Sequence, residues 1–478
     1  MVFSSVVFLF VFLPVVLAIY FILVSVKAPR NLTNAWLFFM SLIFYAWGEP
    51  IYVFLMIGST IVAYVAGLFI GKYKELGDIK KARLSLGIAI FIHVGALVIF
   101  KYTDFILANI NSVFKTSIKL PELALPIGIS FYTFQILSYL IDAYWGKVAV
   151  QKNWLKLATY VALFPQLIAG PIVRYETVEN ELSLRVESVD LFAEGAKRFV
   201  IGLGKKVLIA NTVGELYTRV HALNADNQSV VLLWLASIAF TFQIYYDFSG
   251  YSDMAIGLGK MFGFNFLENF NYPYISDSIT EFWRRWHISL SSWFKDYIYI
   301  PLGGNRVGAF KQYRNIFIVW LLTGIWHGAA WTFVTWGLYF CVLLIIEKVF
   351  LLNLLKKLPK FVRMVYAMFL VVISWTVFAA NDMAEFFVTL KGMFGFGDIA
   401  FFNGRTAEAI GSYLLLFIIA AIGATPLPKK LYDKYIVSVE DKNVIFKIVQ
   451  ICFITLVFVI SIAYLVSASF NPFLYFRF

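Results

Sequence analysis

Long apolar runs recur along the chain and set its structural class. Four of them open the sequence, at residues 3–26, 34–47, 51–70 and 84–100, and none contains an Asp, Glu, Lys or Arg. An α-helix needs about 20 apolar residues to cross the hydrocarbon core of a bilayer. The first run is interpreted as a retained, outside-to-inside helix kinked at Pro14, because its nearest charges, Lys27 and Arg30, follow it, whereas a signal peptide has basic residues before its apolar stretch.

The remainder of the chain adds further helices and some irregular stretches. Residues 109–122 are typical of an external surface segment, residues 157–173 are broken by Pro165 and Pro171, and residues 189–212 mix charged and apolar side chains as an interfacial helix does. The later apolar runs predict helices at 125–145, 230–263, 316–326, 331–350, 362–380, 410–424 and 445–466. The pattern as a whole predicts an all-α polytopic membrane protein of about 11 transmembrane helices with additional re-entrant or interfacial helices.

Basic residues orient this arrangement. Five of them crowd one short predicted loop between the third and fourth runs: Lys72, Lys74, Lys80, Lys81 and Arg83. Cytoplasmic loops carry an excess of Lys and Arg. We therefore expect this loop inside the cell, the N-terminus outside, and the turn at Gly48–Pro50 outside.

Composition agrees with one membrane-embedded domain over residues 1–478. The chain is 61% hydrophobic and 14% charged, and nowhere changes to a soluble pattern. Its formal charge of +12 is typical of contact with anionic lipid headgroups more than with nucleic acid. The two cysteines, Cys341 and Cys452, lie in apolar runs and are interpreted as buried core residues, not as a disulfide or zinc framework.

Two of the four histidines, His287 and His327, each follow a tryptophan in the stretch 279–336. Ionisable groups at membrane depth are costly and are candidates for function. A hydrogen-bonded structural histidine is the alternative for His327, but Gly328 is expected to leave room for a ligand at its imidazole. The HExxH zinc motif and the G-x-S-x-G nucleophile elbow are both absent. We therefore predict no metal site, and acyl chemistry that rests either on a histidine base or on the serine of a partner.

A helix beginning after Ser278 is predicted to carry Phe282, Trp283, Trp286 and His287, with Glu281 at the capping-box position. Arg284 and Arg285 fall on its other side. Snorkelling of these arginines to the membrane interface is one explanation. The other is that they bind the phosphates of an acyl donor, because guanidinium groups suit phosphate oxygens.

Other polar residues interrupt apolar segments. Gln135, Ser138 and Asp142 share one face of a helix that also carries Tyr139, and could either bond neighbouring helices or line a substrate tunnel. Asp247 and Asp253 lie six residues apart and point about 120° from each other on a helix. We expect them to pair with arginine or with backbone N–H groups and not to share a metal ion.

Several of these segments together resemble the membrane-bound O-acyltransferase family, and within it the bacterial branch of alginate O-acetylation membrane proteins. The matching pieces run from residue 125 to 478, with a motif core at 125–340: LPIGISFYTFQILSYLIDAYWG, FPQLIAGPIVRY, YYDFSGYSDMAIG, NFNYPY, FWRRWHISLSSWFKDYIYIPLGGNR, the WHG at His327 and the terminal FLYFRF. The resemblance implies a ring of helices around a central tunnel. It also places the family's histidine at His327 and its second polar position at His287.

The resulting hypothesis is a membrane O-acetyltransferase that moves an acetyl group from a cytoplasmic thioester, acetyl-CoA or another acyl thioester, for O-acetylation of an extracellular polysaccharide. His327 is the predicted base, and His287 positions the donor or relays a proton. Predicted substrate contacts are Arg284, Arg285, Trp286, Trp326, Gln135, Tyr139, Asp247 and Asn305. No permanently bound cofactor is expected.

The resemblance further implies the plasma membrane of a bacterium. Because no serine elbow and no sizeable outer domain are evident, we expect a secreted or membrane-anchored SGNH esterase-like partner on the outer face. Two alternatives remain open: D-alanyl transfer to teichoic acid from a carrier-protein thioester, and a transporter or flippase with a histidine proton relay. The latter predicts inverted repeats, which the sequence does not show.

Overall fold

The computed structural model of the chain describes residues 1–437, 444–467 and 474, and the described residues contain helices and no strands. The first ten helices are α1 (Leu13–Ser25), α2 (Arg30–Ala46), α3 (Tyr52–Glu75), α4 (Ile79–Phe114), α5 (Ile129–Trp145), α6 (Trp154–Ala162), α7 (Phe164–Leu167), α8 (Tyr175–Val178), α9 (Glu181–Leu184) and α10 (Val189–Gly204). The next six are α11 (Asn211–His221), α12 (Val230–Met261), α13 (Ile279–Arg285), α14 (Ile288–Phe294), α15 (Ala309–His327) and α16 (Trp331–Ile346). The last six are α17 (Leu352–Leu355), α18 (Lys360–Ala379), α19 (Met383–Met393), α20 (Gly404–Gly423), α21 (Leu427–Tyr432) and α22 (Val444–Ser467).

The helices group into two compact units. One comprises Met1–Phe199 with Met254–Leu267, and the other comprises Val200–Asp253 with Glu268–Phe478. This grouping does not test the prediction of a single membrane domain, because one polytopic domain can hold several compact groups of helices.

The prediction of a polytopic all-α membrane protein is confirmed. Within the described residues, eight helical segments are long and apolar enough to cross a bilayer. Three shorter or more polar helices, α2, α5 and α15, have 17, 17 and 19 residues. They account for the higher predicted number of about 11, which counted every apolar run as a span.

Helix α4 differs from its prediction. A span over residues 84–100 was expected, followed by a surface segment at 109–122. Instead, one helix of 36 residues runs from Ile79 to Phe114, about 54 Å at 1.5 Å per residue. Residues 101–114 contain neither Gly nor Pro, so nothing in the sequence stops the helix before Lys115, which adopts a left-handed conformation with φ of 54°.

The predicted basic loop is shorter than expected. Only residues 76–78 separate α3 from α4, so the five basic side chains lie on the two helix ends. Asp78 caps α4 by accepting a hydrogen bond from the N–H of Lys81 at 3.0 Å. Gly77 has φ of 73°, which a residue with a side chain adopts only with strain.

The predicted interruption at residues 157–173 is confirmed. Helix α6 ends at Ala162, and Pro165 lies in the first turn of the four-residue helix α7. Residues 189–212, expected to form an interfacial helix, are helical: they comprise α10, a π-helical turn over Lys205–Ala210 and the start of α11, in direct succession.

In the second unit, α15 and α16 form a tight hairpin. A Cβ on Gly324 would lie 2.5 Å from the carbonyl oxygen of Phe333, and a Cβ on Gly337 would lie 2.5 Å from that of Trp320. Glycine at both positions therefore lets the two backbones touch, as small residues do between membrane helices. The hairpin holds His327, the last residue of α15, at its apex.

The cysteine prediction is half right. Cys341 is buried in α16, but Cys452 is exposed on α22. An apolar run alone does not distinguish a helix face that packs on protein from one that faces lipid. The terminal FLYFRF motif lies outside the described residues except for Leu474.

Candidate active site

His327 is enclosed by three aromatic rings. The ring centroids of Trp326, Trp336 and Phe378 lie 5.0, 4.9 and 5.3 Å from that of the imidazole, each nearly perpendicular to it. Only 8% of the residue is exposed. The aromatic walls exclude bulk water, which strengthens any electrostatic or hydrogen-bonding interaction that the imidazole makes there.

Gly328 has a different role from the one predicted. It was expected to leave space for a ligand, but a Cβ at this position would meet the ring of Phe333 at 2.2 Å. The backbone here is extended, with φ of −169°, so any residue could adopt it. Glycine is needed because Phe333 packs against the backbone immediately after His327.

A small cavity of about 20 Å³ borders His327. Its volume is enough for about one water molecule. Asp247 is the second polar residue of its lining, and the apolar wall consists of Ile244, Phe248, Trp286, Trp375, Phe378 and Leu474. The structure therefore brings three predicted residues, His327, Asp247 and Trp286, to one cavity.

His287 lies in strained backbone between two short helices. The predicted helix through His287 is wrong in its extent, because α13 ends at Arg285 and α14 begins at Ile288. His287 itself has φ of 43°, which is uncommon for a residue with a side chain and occurs disproportionately at functional sites. The N-terminal half of the prediction holds: Ser278 Oγ accepts from the N–H of Glu281 at 3.1 Å.

Asn269 fixes the His287 ring. Its Oδ1 lies 3.1 Å from His287 Nδ1 and also accepts from the N–H and hydroxyl of Ser289 at 3.2 and 2.9 Å. An amide oxygen can only accept, so this contact places the imidazole proton on Nδ1 and the lone pair on Nε2.

Trp326 lies between the two histidines. Its ring centroid is 5.0 Å from that of His327 and 6.2 Å from that of His287. Phe248, which lines the cavity, contacts His287 edge-on at 4.6 Å. His287 is thus a neighbour of the cavity through aromatic side chains, whereas His327 borders it directly.

Asp247 and Asp253 pair with different groups, as predicted, and each forms a salt bridge with a lysine. Lys206 Nζ lies 2.5 Å from Asp247 Oδ1, and Lys205 Nζ lies 2.7 Å from Asp253 Oδ2. The Asp247 pair is almost fully buried, with side-chain exposures of 3% for Lys206 and 4% for Asp247. Asp247 Oδ2 also accepts from the backbone N–H of Leu474 at 3.2 Å.

The two predicted donor-binding arginines lie in different surroundings. Arg285 is bonded to Glu281 at 2.6 Å and to the carbonyl oxygen of Asn271 at 3.1 Å. Arg284 is exposed and lines a separate cavity with Lys356 and Arg363. Neither arginine lines the His327 cavity.

Three further predicted residues are not part of this cavity. Gln135 and Tyr139 belong to the first unit, where both are buried, and the Tyr139 hydroxyl accepts from the N–H of Gln151 at 3.0 Å. Asn305 is exposed in the turn after residue 300, where Gly303 and Gly304 have positive φ. That turn is held by Asn315, which donates to the carbonyl oxygens of Leu302 and Gly304.

Sequence reasoning missed several residues that shape the site. Lys206 was assigned to an interfacial stretch, and Asn269 appeared only as the first residue of the NFNYPY motif. Glu347 was passed over, although it is the only acidic residue between Asp296 and Asp382. That isolation in an apolar region is the signal that could have identified it.

Glu347 anchors the start of α13. Its carboxylate is fully buried and accepts hydrogen bonds from the N–H of Ile279 at 2.7 Å and from the N–H and hydroxyl of Thr280 at 2.8 and 2.7 Å. The first N–H groups of a helix have no partner within it and attract negative charge. Glu347 directly follows α16, the helix that begins close to His327. Its hydrogen bonds therefore hold the start of α13, the helix that leads to Trp286, against the C-terminal end of α16.

A metal-based site finds no support in the part of the chain that the structure describes, where no group of three His, Cys, Asp or Glu residues is placed to hold an ion. The chemistry available at the cavity is that of a buried imidazole, a buried lysine–aspartate pair and aromatic walls. Such a site can accept and return a proton and can orient an apolar acyl group.

Comparison with known proteins identifies the family. The profile of the membrane-bound O-acyltransferase family matches residues 149–387, half of the chain. A probable alginate O-acetylase of Pseudomonas aeruginosa is 43% identical over 88% of this chain and 81% of its own length, and one of Azotobacter vinelandii is 39% identical over the full length of both.

Two further relatives are less similar. A peptidoglycan O-acetyltransferase of Helicobacter pylori is 35% identical over 83% of this chain and 80% of its own length. A teichoic acid D-alanyltransferase of Bacillus subtilis is 30% identical over 46% of this chain. With the family profile over half of its length and relatives that are 35–43% identical over most of it, the chain belongs to the membrane-bound O-acyltransferase family and is a multi-pass membrane O-acyltransferase.

Proposed function

We propose that this protein transfers acetyl groups from a cytoplasmic thioester for the O-acetylation of a polysaccharide outside the cell. The observation that carries the proposal is the placement of His327 at the apex of the α15–α16 hairpin, where it borders an apolar cavity. The names of the similar proteins, alginate O-acetylase and peptidoglycan O-acetyltransferase, support acetyl as the group and a cell-surface polymer as the acceptor.

The chemistry requires one base and a dry, ordered site. The imidazole of His327 takes the proton of an acceptor hydroxyl, and the oxygen attacks the thioester carbonyl. The C–S bond then breaks, and the imidazolium returns the proton to the departing thiolate. Aromatic walls hold the acyl group in place, and such orientation can contribute roughly 7–11 kcal/mol in the best cases.

His287 acts as a positioning residue in this scheme. Its Nδ1 is committed to Asn269, and its ring faces Trp326 and Phe248, which border His327 and the cavity. A shift of this ring would alter the aromatic wall of the cavity. The cavity itself holds about one water molecule, so binding of an acyl group requires side chains of the lining to move.

The donor and the partner belong to the same proposal. Acetyl-CoA or another acyl thioester, not a permanently bound cofactor, supplies the acyl group from the cytoplasmic face of a bacterial plasma membrane. A secreted or membrane-anchored SGNH esterase-like protein receives it on the outer face and passes it to the polymer. The resemblance also implies that the acyl group crosses through a central tunnel.

Reconstitution in liposomes tests the enzyme. With acetyl-CoA inside and the partner and polysaccharide outside, His327→Gln is expected to abolish acetylation, because glutamine cannot act as a base. His221→Gln is the matched control, since His221 is a half-buried histidine of α11, bonded through Nδ1 to the carbonyl oxygen of Tyr217, and does not line the cavity. Normal acetylation by His327→Gln would remove this residue from catalysis.

The same system tests the partner. Efficient acetylation of the polysaccharide without the SGNH-type protein would exclude the predicted division of labour. Two alternative functions are weaker. The match to the teichoic acid D-alanyltransferase covers less than half of the chain, and membership in a family of acyltransferases favours an enzyme over a transporter.

A further inference from the structure

A second, larger cavity lies where α13, α17 and α18 come together in the second unit. Its volume is about 320 Å³. Three basic side chains line it, Arg284, Lys356 and Arg363, together with the carboxylates of Asp277 and Glu281. It is distinct from the His327 cavity, with which it shares no lining residue.

The acidic side chains of this cavity already have basic partners. Arg363 forms a salt bridge with Asp277 at 2.9 Å, and Arg285 forms one with Glu281 at 2.6 Å. Within residues 1–437, 444–467 and 474, Arg284 and Lys356 form no salt bridge, and both are exposed. The cavity therefore presents two cations that have no acidic partner in the part of the chain that the structure describes.

The acidic groups of this cavity do not balance its basic groups. The hydrogen bond between the side chains of Asp277 and Glu281 raises the pKa of Asp277 above that of an ordinary aspartate, with burial adding to the effect. Even with both carboxylates ionised, two negative charges face four positive charges, those of Arg284, Arg285, Lys356 and Arg363.

One wall of the cavity is apolar and continues into an apolar surface. Leu352 and Leu355 line the cavity itself. Next to them on α17, the turn that follows it and the start of α18, large apolar side chains are exposed: Leu354, Leu358, Phe361 and Val365. In a multi-pass membrane protein such a surface faces lipid, and basic pockets between the ends of membrane helices bind phosphate headgroups.

We propose that this cavity binds a phosphate ester through Arg284 and Lys356. A guanidinium offers paired donors to phosphate oxygens, and an ammonium adds a mobile point charge. Two sources present this chemistry at a membrane surface: the headgroup of an anionic phospholipid and the phosphates of a nucleotide-linked acyl donor. The donor as source rests on the proposed function, whereas the phospholipid does not.

A bound phosphate would act on the element that leads to the active site. Thr280 lines the cavity and donates to Glu347. Helix α13 runs from there to Arg285, directly before Trp286 in the wall of the His327 cavity. Neutralising Arg284 would remove charge repulsion from the adjacent Arg285 on the same helix. Occupancy of the cavity is therefore expected to stabilise α13.

Native mass spectrometry of the purified full-length protein tests the proposal, with phosphatidylglycerol titrated in one arm and coenzyme A in the other. The test variant is the double substitution Arg284→Gln with Lys356→Gln. The control is Lys357→Gln with Lys360→Gln, which removes the same charge from two exposed lysines outside the lining. Removing charge-assisted contacts is expected to weaken binding about tenfold or more in the test variant.

Each outcome decides between possibilities. If the test variant loses phosphatidylglycerol binding and the control variant does not, the ligand of the cavity is the lipid headgroup. If the test variant loses coenzyme A binding and the control variant does not, the ligand is the acyl donor. Equal weakening in test and control variants, or no binding of either probe to the wild type, overturns the site. Because binding and not turnover is measured, a failure of the acetyltransfer proposal would leave the phosphatidylglycerol arm intact.

Discussion

Oδ1 of Asn269 lies 3.1 Å from Nδ1 of His287, and this contact determines which nitrogen of the imidazole carries the proton. The same oxygen accepts from Ser289, and the Asn269 amide donates to Ser252 Oγ at 3.2 Å. Asn269 is nearly fully buried. The side-chain amide of Asn269 thus orients His287, whose backbone has the left-handed conformation.

Asn269→Ala is expected to lower acyl transfer by about tenfold to a hundredfold, since leaving buried donors unsatisfied costs about 1–3 kcal/mol. Turnover in liposomes, compared at equal amounts of folded protein, measures this. Ser252→Ala is the matched control because it removes the bond on the other side of the amide and leaves Oδ1 in place. Equal effects of the two substitutions would show that the network is only structural.

Gly328→Ala tests why glycine follows His327. An added methyl group would meet the Phe333 ring, and overpacking of this kind costs about 1–3 kcal/mol. We expect a lower melting temperature and reduced activity, both partly restored by Phe333→Leu, which removes the clashing edge of the ring. If glycine instead left space for a ligand, activity would fall without loss of stability, and Phe333→Leu would not rescue it.

Glu347→Ala is expected to be strongly destabilising. It removes the acceptor of three short hydrogen bonds from the first turn of α13, and leaving a buried donor without an acceptor costs about 1–3 kcal/mol. Glu347→Gln keeps one acceptor oxygen and should lose less. Thermal unfolding in detergent measures both. Equal, small losses in the two variants would show that α13 is held by its aromatic packing and not by the carboxylate.

The buried pair of Lys206 and Asp247 gives a test by double substitution. Lys206→Met alone leaves an uncompensated carboxylate in an apolar environment, so the protein should be destabilised by about 3–5 kcal/mol. Adding Asp247→Asn removes that charge and should recover much of the stability, as the midpoint of thermal unfolding would show. Additive losses in the double variant would mean that the two groups do not interact.

The regular membrane helices were predictable because lipid requires long uncharged runs. Helices α3, α18 and α22 begin and end within a few residues of the runs that predicted them. The excess length of α4 was not predicted, because hydropathy indicates only the residues that lie within the lipid. The helix itself continues beyond them until a residue interrupts its backbone.

The candidate site was predictable in its chemistry and not in its geometry. A histidine in an apolar run is a candidate for function because an ionisable group is costly at membrane depth, and His327 does border a cavity. The partners of the site come from distant positions: Glu347 bonds to residue 280, and Lys206 pairs with residue 247. No local periodicity relates such pairs. The turn at His287 was missed because a left-handed backbone is usually indicated in a sequence by glycine, and no glycine stands there.

The orientation of the whole chain is tested by the two ends of α3. This helix has 24 residues, about 36 Å, so its ends should lie on opposite sides of the bilayer. Basic residues cluster at the Leu76 end and are absent from the Ile51 end, which predicts Leu76 inside and Ile51 outside.

Both residues are exposed and have ordinary negative φ, so cysteine can replace either without strain, unlike the neighbouring Gly77. The background must first be removed with Cys341→Ser and Cys452→Ser, because native Cys452 is exposed. In intact cells, a membrane-impermeant maleimide is expected to label Ile51→Cys and to leave Leu76→Cys unlabelled until the membrane is permeabilised. The reverse pattern would place the N-terminus inside and invert the direction in which the acyl group is proposed to move.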